Sequence, residues 1–261
     1  MIKSLSTAAT GMQAQEQKLD QIANDLANMN TTAFKRGRTE FQDLMYQTLK
    51  DPGGVPGQNQ APVGVQVGSG ARVAAQYSLH DQGPSKVTNG LFDLLINGEG
   101  FFSVQMPNGQ VAYTRDGSFK MNSEGLLTTS GGYPLVPNIQ IPQGSAGVTI
   151  TPTGAVRVLS SQGQEQVVGQ IQIASFLNPG ATRKMGENLV AATTAAGPPV
   201  LAVPGESGTG TIQQGAIEAS NVKPTEAIMD MITTQRTYES NARIMSVGDQ
   251  MWSMTNNIGN R

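Results

Sequence analysis

The first thirty residues carry apolar side chains at alternating intervals of three and four. Seven of the eight positions in this series are apolar, and only Gln15 interrupts it. This is the heptad spacing of a helix that packs against another helix, so the segment predicts a helix over about 1–32. A single amphipathic helix on a globular core is the alternative that this segment alone leaves open. The predicted seam consists of Leu5, Ala8, Met12, Leu19, Ile22, Leu26 and Met29.

A second helical pattern occupies the far end of the chain and carries two apolar stripes. Asn221 is a candidate N-cap and Pro224 is tolerated in a first turn, after which no proline occurs. The stripes lie about 100° apart around the helix, and a helix with two apolar stripes needs two partners. The N-terminal helix is one candidate, and a second copy of the chain or another protein is the other. The first stripe is Ile228, Met231, Tyr238, Ala242, Met245 and Trp252, and the second is Ile244, Val247, Met251, Met254 and Ile258.

The middle of the chain has the shorter period of β-strands. Residues 38–50 predict a short helix, and the following Pro/Gly-rich segment predicts a surface loop. From about residue 63 to 215 apolar residues alternate, with hairpins predicted about Asn108-Gly109 and Thr153-Gly154. The sequence therefore predicts an α+β fold in which the terminal helices pair as a coiled coil and a mostly antiparallel β-rich domain is inserted between them. The predicted domains are 1–32 with 216–261, the short helix and extension at 33–62, and the β-rich outer domain at 63–215.

Few residue types in this chain can support catalysis or hold a cofactor. The net charge is −2, there is no Cys, and His80 is the one histidine. A basic surface for nucleic acid, a thiolate site and a multi-histidine metal site are therefore not expected, and no cofactor is predicted. His80 is interpreted as a solvated loop residue. Four carboxylates near predicted turns are interpreted as turn residues and loop charges: Asp93, Glu99, Asp116 and Glu124.

No segment of the sequence has the features of a membrane-directed or cleaved leader sequence. Ser and Thr interrupt the apolar residues of the first twelve positions, where a signal peptide needs a continuous apolar stretch. No stretch approaches the length of a membrane span. Such a chain is expected in the cytoplasm unless it leaves by another route.

The free-energy terms indicate that the terminal helices do not fold alone. Burying the seven seam residues is worth roughly 10–15 kcal/mol, at ~1.5–3 kcal/mol for each large side chain. Fixing about 25 backbone residues costs on the order of 25–50 kcal/mol, and intrahelical hydrogen bonds return only part of it. We therefore expect the terminal helices to be disordered in the free chain and to fold on assembly.

Two long motifs, one at each end of the chain, resemble the signatures of the bacterial flagellar rod and hook proteins. They are ANDLANMNTTAFK at 23–35 and MITTQRTYE at 231–239, the latter preceded by SNV at 220–222. Their signature residues are Asn24, Leu26, Ala27, Asn28, Asn30, Thr31, Phe34 and Lys35, with Gln235, Arg236, Tyr238 and Glu239. In the middle, INGEGFF, YTRDGSF and GYPL resemble the β core of the same family. The resemblance covers essentially the whole chain, and MYQTLKDPGG at 45–54 is most similar to the distal rod member.

The resemblance implies a structural protein and no enzyme. Family members pair their terminal helices as the inner domain of a hollow helical tube and place the β domain outside. They are exported unfolded, without a cleaved signal peptide, through the flagellar type III apparatus into the periplasm. The implied partners are many copies of the chain, the proximal rod and hook proteins at the ends, and ring proteins in the peptidoglycan and outer membrane. The implied function is a stiff drive shaft of the basal body that transmits torque from motor to hook.

Three positions depart from the family pattern. Ala33 stands where the family usually has Gly, which puts a left-handed turn there in question. Asp25 replaces a frequent Asn, and Lys223-Pro224 is a less usual start to the last helix.

Other expectations concern contacts and rival functions. Residues 45–62 are expected to form an intersubunit contact that stiffens the rod. The basic cluster of Lys35, Arg36 and Arg38 is expected to complement the helix dipole or to pair with acidic residues of a neighbouring subunit. The rival functions are a proximal rod or hook paralogue, a secreted β-rich glycan hydrolase that uses Asp116 or Glu124, and an adhesin with coiled-coil stalks.

Overall fold

The chain forms two compact units in the computed structural model, which describes residues 2–51, 63–142, 144–160, 163–206 and 208–259. The helical unit combines the N-terminal residues up to Ala27 with Gly37–Tyr77 and the residues from Lys223 onward. The β unit combines Asn28–Arg36 with Ser78–Val222. This division differs from the predicted one, because the segment 28–36 belongs to the β unit and the segment 37–77 belongs with the helices.

Two long helices make up most of the helical unit. Helix α1 spans Ile2–Ala27 and helix α2 spans Pro224–Gly259, so the predicted C-terminal helix is confirmed to within a residue at its end. A Cβ atom on Gly248 would lie 2.7 Å from Leu5 Cδ2, and one on Gly11 would lie 3.1 Å from Asn241 Nδ2. Early residues of α1 thus face late residues of α2, and the two helices pack antiparallel. Among the described residues, no helix is long and apolar enough to cross a membrane.

The prediction of a helix at 38–50 is wrong, because this part of the helical unit consists of strands. The strands are β1 (Gly37–Asp43), β2 (Gln47–Lys50), β3 (Val65–Val67) and β4 (Ala71–Ser78). Strand β1 pairs with β4 and β2 pairs with β3. Phe41, Met45 and Leu49 have helical spacing but are all exposed, so that spacing has no surface to bury. Pairing with distant strands therefore overrides the local pattern. Most of the predicted Pro/Gly loop, 52–62, lies outside the described residues.

The described residues of the β unit form sixteen short strands and one 3₁₀ turn at Pro179–Ala181. All of its strand pairs with a recorded register are antiparallel, which confirms the predicted β-rich body. The strands are β5 (Ser85–Val87), β6 (Leu94–Asn97), β7 (Phe101–Gln105), β8 (Val111–Thr114), β9 (Lys120–Met121), β10 (Leu127–Thr128), β11 (Leu135–Val136), β12 (Gly147–Ile150), β13 (Ala155–Leu159), β14 (Glu165–Gln170), β15 (Ile173–Ser175), β16 (Arg183–Gly186), β17 (Leu189–Ala191), β18 (Val200–Ala202), β19 (Thr211–Gln214) and β20 (Ala216–Glu218).

One seven-stranded sheet organises the core of the β unit. Its strands follow the order β16-β17-β8-β7-β15-β18, and β11 also pairs with β7. A second, three-stranded sheet follows the order β12-β13-β14. Both predicted hairpins are confirmed: β7 and β8 flank Gly109 at φ 81°, and β12 and β13 flank Gly154 at φ 84°. The fully buried side chains of Phe102, Leu94 and Ile173 lie in the main apolar cluster.

Candidate assembly surface and a buried polar cluster of the β unit

The apolar series of α1 lies on a covered face of the helix. Ala8 and Ile22 are buried, and Leu5, Met12, Leu19 and Leu26 are half-buried. Met29 differs, because α1 ends at Ala27 and Met29 is an exposed residue of the β unit. Ala14, which the heptad series does not include, is also buried.

The face of α2 that turns inward is lined mainly by small and polar residues. Met231, Ala242 and Met245 of the first stripe are half-buried, whereas Ile228, Tyr238 and Trp252 are exposed. The covered positions that alternate with them are Ala227, Thr234, Asn241 and Gly248. Together with Met231, Tyr238, Met245 and Trp252 they form one series with intervals of four and three. Sequence reasoning missed these positions because it searched for apolar residues, although the heptad offset would have pointed to them.

The second stripe of α2 is open to solvent in the described chain. Relative exposures are 50% for Ile244, 52% for Val247, 51% for Met251 and 61% for Met254. The side chain of Ile258 lies outside the described residues. Four large apolar side chains on one face of one helix form a patch of the kind that marks an interaction site.

The N-terminal signature ends α1 and turns the chain into the β unit. The Thr31 hydroxyl bonds Asn28 Oδ1 at 3.1 Å, and the Phe34 N–H donates to the Thr31 carbonyl at 3.3 Å. Ala33 follows with φ 57°, so the left-handed turn forms although Ala replaces Gly there. An L-residue in this conformation costs about 1–2 kcal/mol. The other signature residues lie on the surface: Asn24 and Ala27 on α1, Asn30 in the turn, and Gln235, Arg236 and Glu239 on α2.

Asp25, another departure from the family pattern, is a buried acceptor near the end of α1. Both of its carboxylate oxygens accept the Gly37 N–H at 3.1 Å, and Oδ1 also accepts a bond from Gln21 Nε2 at 2.8 Å. A carboxylate can take up these donors with both oxygens. Asp25 thereby fixes the start of β1 against α1.

The predicted basic cluster divides, and Lys35 finds its acidic partner within the same chain. Its Nζ lies 2.5 Å from Glu218 Oε1, while Arg115 Nε lies 2.9 Å from Glu218 Oε2. All three side chains are buried, and the Gly83 N–H adds a bond to Oε1 at 2.8 Å. Burial lowers the pKa of Lys35, and the Glu218 carboxylate opposes this shift. Arg115 also donates to the carbonyls of Gly100, Ile96 and Gly98.

The sequence predicted that Asn221 is the N-cap of α2, but in the structure its side chain instead forms hydrogen bonds that join three chain segments. Its Oδ1 accepts the Arg36 N–H at 2.7 Å, and its Nδ2 donates to the carbonyls of Leu79 at 2.9 Å and Asp81 at 3.1 Å. Helix α2 begins three residues later, at Pro224, and the Ala227 N–H donates to the Lys223 carbonyl. We name the set formed by Lys35, Arg36, Leu79, Asp81, Arg115, Glu218 and Asn221 the clasp.

His80 is also not the solvated loop residue that the sequence predicted. Both ring nitrogens are buried, and the ring stands edge-on to Phe101 with centroids 5.5 Å apart. Burial, followed by the positive charges of Lys35, Arg115 and Lys184, lowers the pKa of His80 from 6.5 to about 4. The imidazole is therefore neutral at pH 7. It lines a cavity of about 390 Å³ whose walls include Asp81, Glu99 and Arg115.

The carboxylates near turns have the structural roles expected of them. Asp116 Oδ1 accepts bonds from the Ser118 N–H and hydroxyl, and Oδ2 accepts a bond from Asn188 Nδ2. The Asp93 carboxylate accepts a bond from the Thr88 hydroxyl at 2.5 Å. Glu99 and Glu124 are exposed. Among the described residues no group of three or more potential metal-ligating side chains occurs.

Comparison with known proteins decides the family. Family models match at residues 5–35 (flagella basal body rod protein), 95–158 (flagellar hook protein FlgE/F/G D1 domain) and 213–258 (flagellar basal body rod FlgEFG protein C-terminal). The flagellar basal-body rod protein FlgG of Caulobacter vibrioides is 44% identical over 98% of this chain and 99% of its own length. The chain belongs to the flagellar basal-body rod protein family.

More distant rod proteins match over nearly the same length. FlgG of Borreliella burgdorferi is 42% identical over 99% of both chains, and FlgG of Bacillus subtilis is 32% identical over 96% of this chain and 97% of its own. FlgF of Caulobacter vibrioides is 38% identical over 87% of this chain and 86% of its own. The rod family thus accounts for the chain from end to end, including both helices and the β unit.

Proposed function

We propose that this rod-family chain is a structural, non-enzymatic subunit of the distal rod that assembles into a helical tube of many copies. The observation that carries the proposal is the exposed second stripe of α2, Ile244, Val247, Met251 and Met254. Full-length similarity to proteins named FlgG supports the distal rod over the proximal rod and hook paralogues.

Within one subunit, α1 and α2 pair as an antiparallel coiled coil. The heptad intervals on α1 and the matching series of covered positions on α2 support this pairing. Small residues at the contact allow the helices to approach closely, since Gly11 faces Asn241 and Gly248 faces Leu5. The pair leaves one face of α2 for a neighbour.

Between subunits, the second stripe of α2 packs against a neighbouring copy. Covering the exposed half of its four large side chains is worth roughly 3–6 kcal/mol gross, at ~1.5–3 kcal/mol for a whole side chain. One such contact is weak, but a head-to-tail arrangement that does not close repeats it along the whole tube. This repetition gives stiffness without any single strong contact.

The segment 45–62 makes a second contact between subunits and stiffens the rod. Its described part supports this, because Met45, Tyr46 and Leu49 are strongly exposed on and beside β2. The β2–β3 hairpin has too few strands to be stable by itself, so a neighbouring subunit would stabilise it.

The remaining partners follow from the place of the rod in the basal body. The subunit leaves the cytoplasm through the flagellar type III apparatus and assembles in the periplasm. Proximal rod and hook proteins contact the ends of the tube, and ring proteins of the peptidoglycan and outer membrane surround it. The tube transmits torque from motor to hook. A glycan-hydrolase function is not favoured, because Asp116 uses both carboxylate oxygens to hold turns.

A charge in the second stripe tests the assembly contact. Val247→Asp should leave the circular dichroism of the purified chain unchanged, because Val247 is already exposed, yet abolish rods in basal bodies viewed by electron microscopy. Ser253→Asp, exposed on another face of α2, is the matched control and should assemble normally. Normal rods with Val247→Asp would show that this face contacts no neighbour.

A further inference from the structure

The chain passes between its two units four times, after residues 27, 36, 77 and 222. On the β-unit side, residues next to three of these passages belong to one hydrogen-bonded set. Arg36, Leu79 and Asn221 lie within two residues of three of the passages, and all three belong to the clasp.

One amide side chain holds these three passages at once. Asn221 uses its oxygen for the Arg36 N–H and its nitrogen for the Leu79 and Asp81 carbonyls, so its donors and acceptor are all occupied. The backbone adds two bonds, from the Leu79 N–H to the Arg36 carbonyl at 2.9 Å and from the Asn221 N–H to the Phe34 carbonyl at 3.2 Å. The fourth passage, after residue 27, is connected to this set by the turn at Asn28–Phe34.

The buried Glu218 carboxylate also forms ion pairs and hydrogen bonds with residues of these segments. Lys35 comes from the first connecting segment, Arg115 follows β8, and Glu218 ends β20. The Lys35 Nζ also donates to the Asp81 carbonyl at 2.7 Å, and the Ala33 N–H donates to the Glu218 carbonyl at 2.8 Å. The segments 28–36 and 78–83 are thus each bonded to the Glu218 carboxylate by a buried hydrogen bond, through Lys35 and the Gly83 N–H.

We propose that Asn221 is a positioning residue that fixes where the terminal helices leave the β unit. The bonds of Asn221 join backbone groups of segments distant in sequence. The β5–β20 pair joins two of these segments further along the chain, at Ser85–Val87 and Ala216–Glu218, and does not include Arg36, Leu79 or Asp81. Loss of this side chain frees the exits without opening the sheet. This inference does not depend on the tube, because it concerns the isolated chain.

Hydrogen exchange of the full chain, read by mass spectrometry, tests the local effect. With Asn221→Ala we expect at least tenfold faster exchange in peptides covering 28–36, 78–83 and 216–222, and unchanged exchange in β7 and β8. Asn122→Ala is the matched control, because Asn122 Oδ1 accepts two backbone N–H groups in a turn of the same unit. It should speed exchange only about that turn. A uniform increase across the β unit, or no increase, overturns the proposal.

An isosteric variant separates the two halves of the amide. Asn221→Asp keeps the acceptor for Arg36 but turns an oxygen toward the carbonyls of Leu79 and Asp81, so its connecting segments should exchange at least as fast as those of Asn221→Ala. Wild-type protection in this variant would show that the Nδ2 donors do nothing, and would overturn the proposal.

Discussion

The Nζ of Lys35 lies 2.5 Å from Oε1 of Glu218, and both side chains are buried although 183 residues separate them in sequence. Arg115 occupies the other oxygen of the same carboxylate. One anion therefore serves two buried cations, one of which belongs to the segment that follows α1. Taking charges out of water is costly, and this arrangement is stable only while the shared carboxylate stays ionised.

Glu218→Gln is expected to lower the free energy of unfolding by about 3–5 kcal/mol, because it leaves two buried cations without a counter-charge. Urea unfolding followed by circular dichroism measures the loss. The matched control is Glu165→Gln. It removes the exposed ion pair between Glu165 and Arg157, whose charged atoms lie 3.6 Å apart, and should cost less than about 1 kcal/mol.

Removing one cation should offset part of this loss. Lys35→Met in the Glu218→Gln background returns the net charge of the three side chains to its original value, so the double variant should lose less than the sum of the single losses. Strict additivity would mean that Lys35 and Glu218 do not interact energetically.

His80 should make the β unit sensitive to acid. Its pKa falls from 6.5 to about 4 on folding, so between these values the unfolded chain binds the proton and the folded chain does not. Stability is therefore unaffected above pH 6.5, falls as the pH drops toward 4, and then levels off. At ~1.4 kcal/mol per unit, wild type should lose about 2 kcal/mol more than His80→Phe between pH 7 and pH 5.

Urea midpoints at the two pH values measure this difference. His80→Phe keeps an aromatic ring beside Phe101 and removes the titrating group, so the carboxylates contribute equally to both chains. Equal losses in both chains would show that His80 takes up a proton in the folded state as readily as in the unfolded state.

Local patterns in the sequence predicted the elements that depend on local chemistry. Helix α2 and the hairpins at Gly109 and Gly154 were predicted because heptads and turn glycines act over a few residues. The helix at 38–50 was wrong because β1 pairs with β4, some thirty residues away. Local spacing cannot report such pairing.

The clasp could not be predicted for a related reason. Asn221 has the spacing of a helix cap, yet its side chain bonds Arg36 and Leu79, which are distant in sequence. The residues next to His80 in sequence do not indicate that its ring is buried. The cations around the ring come from three other segments, which local sequence cannot report. In contrast, the covered positions of Thr234 and Gly248 could be predicted from the heptad offset if small and polar residues are accepted at seam positions.

A charge at the α1 seam should block assembly without harming the free chain. Leu26→Asp introduces a carboxylate at a half-buried position of the helix pair, at a cost of several kcal/mol in the assembled state. The exported amount of the chain should stay normal while rods are absent by electron microscopy. Ala23→Asp, exposed on the same helix, is the control and should form rods. Normal rods with Leu26→Asp would exclude a seam at this position.

The terminal helices of the free chain should exchange their amide hydrogens freely at low concentration. One seam does not recover the entropy lost in ordering some 25 residues, so residues 2–27 and 224–259 should lack protection in the monomer. The clasp sets the limit of this region, because the segment 28–36 is bonded within the β unit. Protection should therefore begin at the turn after Ala27, well before the β-rich segment itself. If mass spectrometry instead finds both helices protected in the monomer, their pairing is self-sufficient, and assembly adds contacts to helices that are already folded.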